Sequence, residues 1–374
     1  MEKKYIDDRL FSFKQKSHDF IVTEELPFKL ANEGDVFFVF FEKRNLNTMD
    51  VVKHLCNAFN LSRLSLWIAG LKDKKAITRQ WICIYKSALK KIWWENAFLE
   101  SLWEVAKVLD TGRHTTPIGM TTPIKNGFYI KLRANKALSV KEKDISNRKI
   151  LSLFKKWFPN LFGNQRFGIN GINPQQGSDI LKWKLKLKDK KDLVFKVQAY
   201  ASKLFNEYLH TRTKKWLEIL DGDIIIDTEN NQKNQFGLYQ AKTNTVKLFD
   251  DTKKDQEFFR YPKNFKEEVP FNKDTMIATW PVIWYNLLLA PKESIAGNKE
   301  QGLLEKNWIS EKSLKLCIDY KIYGIRRPLW VFPQKVSVHI QQDELLLNFT
   351  LPWWAYASIM IDELEKTLWV KISN

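Results

Sequence analysis

Cysteine is scarce in this sequence: only Cys56, Cys83 and Cys317 occur in 374 residues. None belongs to a C-x-x-C pair, and no tight Cys/His cluster accompanies them. That pattern argues against a structural zinc site and against a disulfide framework. The three read as buried thiols in a reducing compartment. A long apolar run is also missing. The most apolar stretch, Met276 to Ala290, contains Pro281 and Asn286 and is too short to span a bilayer comfortably. The opening MEKKYIDDRLFSFKQK is charged and has no apolar core of a signal peptide. There is no P-loop and no dinucleotide fingerprint. Asp221-Gly222-Asp223 is followed by no calcium-ligand series and reads as a turn. These absences lead to the expectation of a cytoplasmic protein, without a metal site and outside any membrane.

Acidic residues are in deficit. There are 61 lysines and arginines against 43 aspartates and glutamates, a formal net charge of +18. Such an excess concentrates polyanions around a protein. With aromatics at 14% of the residues, nucleic acid is the default partner, although a lysine-rich bias alone would give the same charge. The length suits two or three structural units and a core that needs no staples.

The first third alternates strand-like and helix-like segments. DFIVTE (19–24) and VFFVFFE (36–42) read as strands, and Asn47 or Thr48 caps a helix through Val51, Val52, Leu55, Cys56 and Phe59. LWIAG (66–70) and QWICIY (80–85) read as strands flanking a polar loop, and WEVAKVL (103–109) and FYIKLR (128–133) as further strands. Residues 145–157 read as a helix. The Gly/Asn-rich PNLFGNQRFGINGINP (159–174) marks a domain junction. Beyond it, the lysine-rich 181–196 stretch fits either an edge strand or a helix with a solvated face. Residues 197–220 have the spacing of an amphipathic helix, and 221–275 are polar and turn-rich. From 325 the texture of the first third returns, and a last helix is expected from Trp354 to Lys366. A similar α+β texture at both ends with a different middle suggests a discontinuous domain carrying an insertion.

The segment richest in chemistry is Ala69-Gly70-Leu71-Lys72-Asp73-Lys74-Lys75-Ala76-Ile77-Thr78-Arg79-Gln80-Trp81. One carboxylate sits among cations on a loop between apolar strands, where functional groups are commonly displayed. The neighbouring cations favour its ionised form. A surface turn with an idle aspartate fits the same letters.

AGLKDKKAITRQW resembles the catalytic-loop motif of the TruD family of tRNA pseudouridine synthases. DFIVTEEL (19–26), EKRNLNTMDVV (42–52), IKNGFYIKLR (124–133), LFGNQRFGING (161–171), ASKLFNEYLHTR (201–212), RRPLWVFP (326–333) and LPWWAYASIMIDEL (351–364) resemble further elements of that family, in family order. The sequence departs from the family pattern at Leu161, where tyrosine is usual, and at Trp354, where glycine is usual.

The resemblance implies an α+β fold. A pseudouridine-synthase-like catalytic domain with a mixed or antiparallel sheet (1–163 and 325–374) would be interrupted by a second α+β domain (164–324). It implies isomerisation of a uridine in RNA, most often uridine 13 of certain tRNAs, by a monomer with no cofactor and no obligatory protein partner. Asp73 matches the catalytic aspartate, either as nucleophile at C1′ or as base toward the 2′ proton. Lys14 matches its ion-pair partner, with Lys16 a close competitor. Phe20 and Phe128 match aromatic positions of the uracil pocket, and Asn126 matches an amide there. Gln165 and Arg166 match the loop at the junction, where they would shape the site or touch RNA. A non-catalytic RNA-binding or chaperone protein on the same scaffold, or a synthase for another RNA, would share these letters.

Overall fold

The structure is a computed structural model that describes residues 11–13, 16–31, 33–89, 95–119, 122, 124–134, 137, 139–213, 218–229, 235–251, 258–282, 284–307, 309, 311–368 and 372–373. In chain order it forms β1 (Phe11–Phe13), β2 (Phe20–Glu25), β3 (Val36–Arg44), α1 (Thr48–Phe59), β4 (Leu66–Ile68), β5 (Ile77–Tyr85), α2 (Lys86–Leu89), α3 (Glu95–Trp103), β6 (Lys107–His114), β7 (Lys125–Ala134) and α4 (Val140–Phe154). Next come β8 (Phe158–Pro159), α5 (Asn173–Leu181), α6 (Lys190–Thr213), β9 (Ile224–Asp227), β10 (Gln235–Gln240), β11 (Thr245–Asp250), β12 (Phe259–Arg260), β13 (Phe265–Pro270), β14 (Met276–Val282), β15 (Leu287–Leu288), α7 (Ile295–Lys306), α8 (Glu311–Asp319), β16 (Ile325–Pro328) and β17 (Trp330–Val331). The chain ends with β18 (Gln334–Gln341), β19 (Glu344–Pro352), α9 (Ala357–Leu368) and β20 (Ile372–Ser373). The architecture is α+β. Among the described residues no helix is long and apolar enough to cross a membrane.

Two compact units result, Met1–Trp157 with Phe332–Asn374, and Phe158–Val331. The breaks fall at 157/158 and 331/332 rather than at 163/164 and 324/325. The reason is local: β8 pairs with β17, Phe158 opposite Val331, so the chain enters and leaves the second unit through one short antiparallel pair. The Gly/Asn-rich stretch that marks the change of composition lies just inside.

The first unit is built on a mixed sheet in the order β18-β19-β7-β2-β5-β3-β6, with β4 added to β5, β1 beside β7 and β20 beside β1. β2 runs parallel to β5, while β7 and β3 are antiparallel to their neighbours. Strand β3, VFFVFFEKR, is apolar on both faces because both are covered. On one side Phe37, Val39 and Phe41 pack with Val51, Val52 and Leu55 of α1 and Phe98 and Leu102 of α3. On the other, Val36 and Phe38 pack with Trp81, Cys83, Ile118 and Ile124. Asn47, not Thr48, is the N-cap of α1. The Asp50 carboxylate accepts from both the main-chain and side-chain N–H of Asn47, which leaves Thr48 turned inward. The expected strand at 103–109 begins only at Lys107. Trp103 closes α3, whose Phe98 and Leu102, four apart, are drawn onto the core.

The second unit holds a six-stranded sheet, β13-β11-β10-β9-β14-β16, with α6 packed against β14. Four of its strands, β9, β10, β11 and β13, lie in the polar 221–275 region. Within the lysine-rich stretch, α5 ends at Leu181 and α6 begins at Lys190, so its second part is helical and no strand forms there.

Candidate active site

Asp73 lies on the loop that joins β4 to β5, and it is exposed. The loop around it is held from beneath by polar side chains of the first unit. Lys43, the penultimate residue of β3, is 1% exposed. Its Nζ donates to the main-chain oxygens of Leu46 (2.6 Å), Asp73 (3.0 Å) and Lys72 (3.4 Å). Burial pushes the Lys43 ammonium down to about 8, a shift that nearby Lys72 reinforces and the attraction of Asp73 and Asp50 opposes. The N–H of Lys72 donates to Thr48 Oγ1 (3.0 Å), and that hydroxyl donates to Gln80 Oε1 (2.9 Å). The Lys72 ammonium reaches the buried Glu24 carboxylate at 2.7 Å, and Glu24 also accepts the Trp81 N–H at 2.9 Å.

Register decides which side chains share a face. Val22 lies opposite Phe128 and Glu24 opposite Asn126, while Val22 is level with Thr78 on β5, and Thr78 faces Lys43 on β3. Paired residues project to the same side, with Cβ atoms of opposed antiparallel residues roughly 4.5–5.5 Å apart. Phe20, Glu24, Asn126, Phe128, Thr78, Gln80 and Lys43 therefore share one face, which we term the inner face. Phe20 and Phe128 have ring centroids 6.1 Å apart, and Phe128 stacks on Phe349 at 5.4 Å. Asp19 is buried beside Phe20. Burial would raise its pKa, but hydrogen bonds from Arg133 (2.7 Å) and the Lys16 N–H (2.8 Å) hold its carboxyl below the usual range.

This face has one more property. Three buried polar atoms on it, Asn126 Oδ1, Thr78 Oγ1 and Gln80 Nε2, have no hydrogen-bond partner among the described residues. Leaving such an atom unpaired costs about 1–3 kcal/mol, and native folds seldom accept three together without a ligand or water to answer them. The opposite, outer face carries a cleft of about 420 Å³ lined by Ile21, Thr23, Arg79, Tyr129, Asn348 and Thr350, with Phe128 and Phe349 also at its wall. Its charges are matched: Glu42 with Arg79 and Arg44, both at 2.9 Å, and Glu25 with Lys335 at 2.6 Å. The residues linked to the Asp73 loop lie on the inner face.

The sequence model of the family described as tRNA pseudouridine synthase D (TruD) matches residues 9–188 and 185–364. The chain belongs to the TruD family. It is 27% identical over 366 residues to tRNA pseudouridine synthase D of Sulfurimonas denitrificans, covering 95% of both chains. To the protein of the same name from Wolinella succinogenes it is 29% identical, covering 95% of this chain and 94% of that one. Its fold is similar to the crystal structure of a Methanosarcina mazei protein assigned to TruD, with a TM-score of 0.61 at 19% identity over 97% of this chain and 94% of that chain.

The residues that match TruD motifs divide between the units. Asp73, Phe20, Asn126 and Phe128 belong to the first, the last three on one face and Asp73 tied to that face through Lys43, Lys72 and Thr48. Lys14 lies outside the described residues. Gln165 and Arg166 belong to the second unit. Gln165 is exposed on a short turn, and the Arg166 guanidinium donates to Gln198 (3.1 Å) and Ser202 (3.3 Å) of α6. Arg212 is likewise occupied within that unit, paired with Asp223 at 3.0 Å. Lys43, Thr48, Glu24, Thr78 and Gln80 all fall within the family-like segments, but the sequence analysis gave none of them a role at the site. The available signal was polar residues at inward positions of apolar strands, T-x-Q before WICIY and a lysine ending VFFVFFE. Among the described residues no group of three His, Cys, Asp or Glu side chains is arranged to hold a metal ion.

Proposed function

We propose that the chain isomerises a uridine within tRNA to pseudouridine, with Asp73 acting at the ribose of the target nucleotide. Membership of the TruD family supports the reaction. The observation that carries the site is the buried, unpaired Asn126 Oδ1 on the same face as Phe20 and Phe128, with Glu24 and Lys72 leading from Asn126 to the Asp73 loop. Uracil offers an N3–H donor that an amide oxygen can accept. A half-buried phenylalanine supplies a flat apolar surface in place of lost base stacking.

The chemistry balances without a co-reactant. The N1–C1′ bond breaks, the base turns, and C5 bonds to C1′. The C5 hydrogen leaves as a proton and N1 gains one, so substrate and product have the same formula. Asp73 serves either as nucleophile at C1′ or as base toward the 2′ proton. In this reading the first unit is the catalytic domain and the second is the insertion. Lys14, by its match to the family motif, takes the part of the ion-pair partner of the aspartate, and Gln165 and Arg166 contact RNA. The enzyme works as a cytoplasmic monomer, without cofactor, on uridine 13 of certain tRNAs. Phosphate contacts from the +18 chain make RNA affinity fall steeply with salt.

Tritium release from tRNA labelled at uridine C5 tests this. The purified protein should release label with no added cofactor, and it should do so with chelator present. Binding of tRNA with no release from any cellular RNA would instead establish a non-catalytic RNA binder.

A further inference from the structure

We infer that Lys43 is the positioning residue of the Asp73 loop: its three-donor ammonium fixes the main chain from which the carboxylate projects. The inference rests on the reading that Asp73 carries the chemistry, and it gives a role to a lysine that lies within the motif-matched segment 42–52 but was assigned none there.

An ammonium has three donors, all rotatable on a flexible stem. Those of Lys43 meet three carbonyls, one from the turn before α1 (Leu46) and two from the catalytic loop (Lys72 and Asp73). The contact joins segments that are neighbours only in the folded chain. The Asp73 oxygen that Lys43 holds is a main-chain one, so the contact fixes the backbone from which the side chain projects. Thr48 grips the same stretch through the Lys72 N–H. Lys72 is thus held at its N–H and its carbonyl, and Asp73 at its carbonyl. Burying a lysine is costly when a methionine would fill the space. Retaining one where its donors end on a reactive loop is explained by a need for placement. A displacement of about 1 Å at a reacting group costs on the order of 10²-fold in rate.

The test compares wild type, Asp73→Asn, Lys43→Met and Lys43→Arg in single-turnover tritium release and in tRNA binding. Lys43→Met should cut the rate roughly 10²-fold while tRNA affinity stays within about twofold, and Lys43→Arg should recover part of the loss. The pH profile gives a readout that a purely structural lysine would not move. The wild-type rate should fall above about 8 as Lys43 loses its proton, a loss opposed by Asp73 and Asp50 and favoured by Lys72. Lys43→Arg, which stays charged, should lack that alkaline limb. Stability runs the other way. The folded value of Lys43 lies below its ordinary 10.5, so its titration adds stability as pH rises from about 8 toward 10.5. The titration of Lys43 itself therefore does not destabilise the fold over the range of the limb.

If Asp73→Asn keeps its activity, the site reading itself fails. If Asp73→Asn is inactive but Lys43→Met turns over at the wild-type rate, the inference about Lys43 is overturned. Should Lys43→Met not fold, Lys43→Arg decides, and an unchanged alkaline limb in that variant would overturn the inference.

Discussion

The two faces of one sheet handle polarity in opposite ways. On the outer face of β2, β5 and β7, charges are numerous and matched: Glu42 with Arg79 and Arg44, Glu25 with Lys335, Lys131 with Glu344. On the inner face charges are few and buried, and Asn126 Oδ1, Thr78 Oγ1 and Gln80 Nε2 are left over among the described residues. The outer face has an open cleft of about 420 Å³, and the inner face has the unmet hydrogen bonds. A cleft whose charges are already paired gives a ligand little to gain, whereas a buried amide oxygen without a donor is a cost that binding removes. On the proposed reading unmet polarity is the better guide to the site, and Asn126, Thr78 and Gln80 lie in segments that match TruD motifs.

Substitutions on each face can break or sharpen this contrast. The largest effect is expected at Asp73: Asp73→Asn should lower turnover by about 10²–10⁴-fold or more, with the thermal midpoint and tRNA affinity little changed. Next comes Asn126→Leu on the inner face. Losing a buried hydrogen bond to the base should lower kcat/KM by roughly 10- to 100-fold, equivalent to about 1.5–3 kcal/mol, while the melting temperature of the RNA-free protein stays near wild type. A comparable loss of stability without loss of activity would show that Asn126 is architectural. The smallest effect belongs to the outer face. Glu42→Gln should cost roughly 1 kcal/mol or less in urea unfolding, since its arginine partners are partly solvated, and should leave turnover unchanged. Burial would raise the Glu42 pKa, but hydrogen bonds from Arg79 and Arg44 bring it below the ordinary 4.5. A depressed folded value means that its stabilisation is complete above the ordinary glutamate range and disappears as pH falls through the lowered value. Glu42→Gln should accordingly flatten the acid side of the stability profile.

Much of this arrangement is legible in the letters. The strands either side of the Asp73 loop announce themselves through LWI and WICIY, and the α1 cap through Asn47 followed three residues later by Asp50. The inner-face set is harder to see. Thr78 and Gln80 share a face with Glu24 and Asn126 only because β2 joins β5 in parallel and β7 antiparallel, and pairing partners far apart in sequence carry no local signal. Lys43 reads as the polar end of a strand, because what draws it inward is a set of main-chain oxygens supplied by other segments. In the second unit the 221–275 sheet is obscured for a different reason. Its edge strand β13 reads FKEEVP and buries almost nothing, so the alternation that betrays a strand is missing. The unit boundary is likewise displaced from the composition shift, because the pairing of Phe158 with Val331 depends on residues at opposite ends of the insertion.

The most direct test of the account is single-turnover release of tritium from C5-labelled uridine in tRNA by the Asp73→Asn protein, with tRNA binding measured on the same preparation. The account predicts wild-type-like binding and no release over a period in which the wild type finishes its turnover. Release at the wild-type rate would contradict it and move the chemistry to another residue.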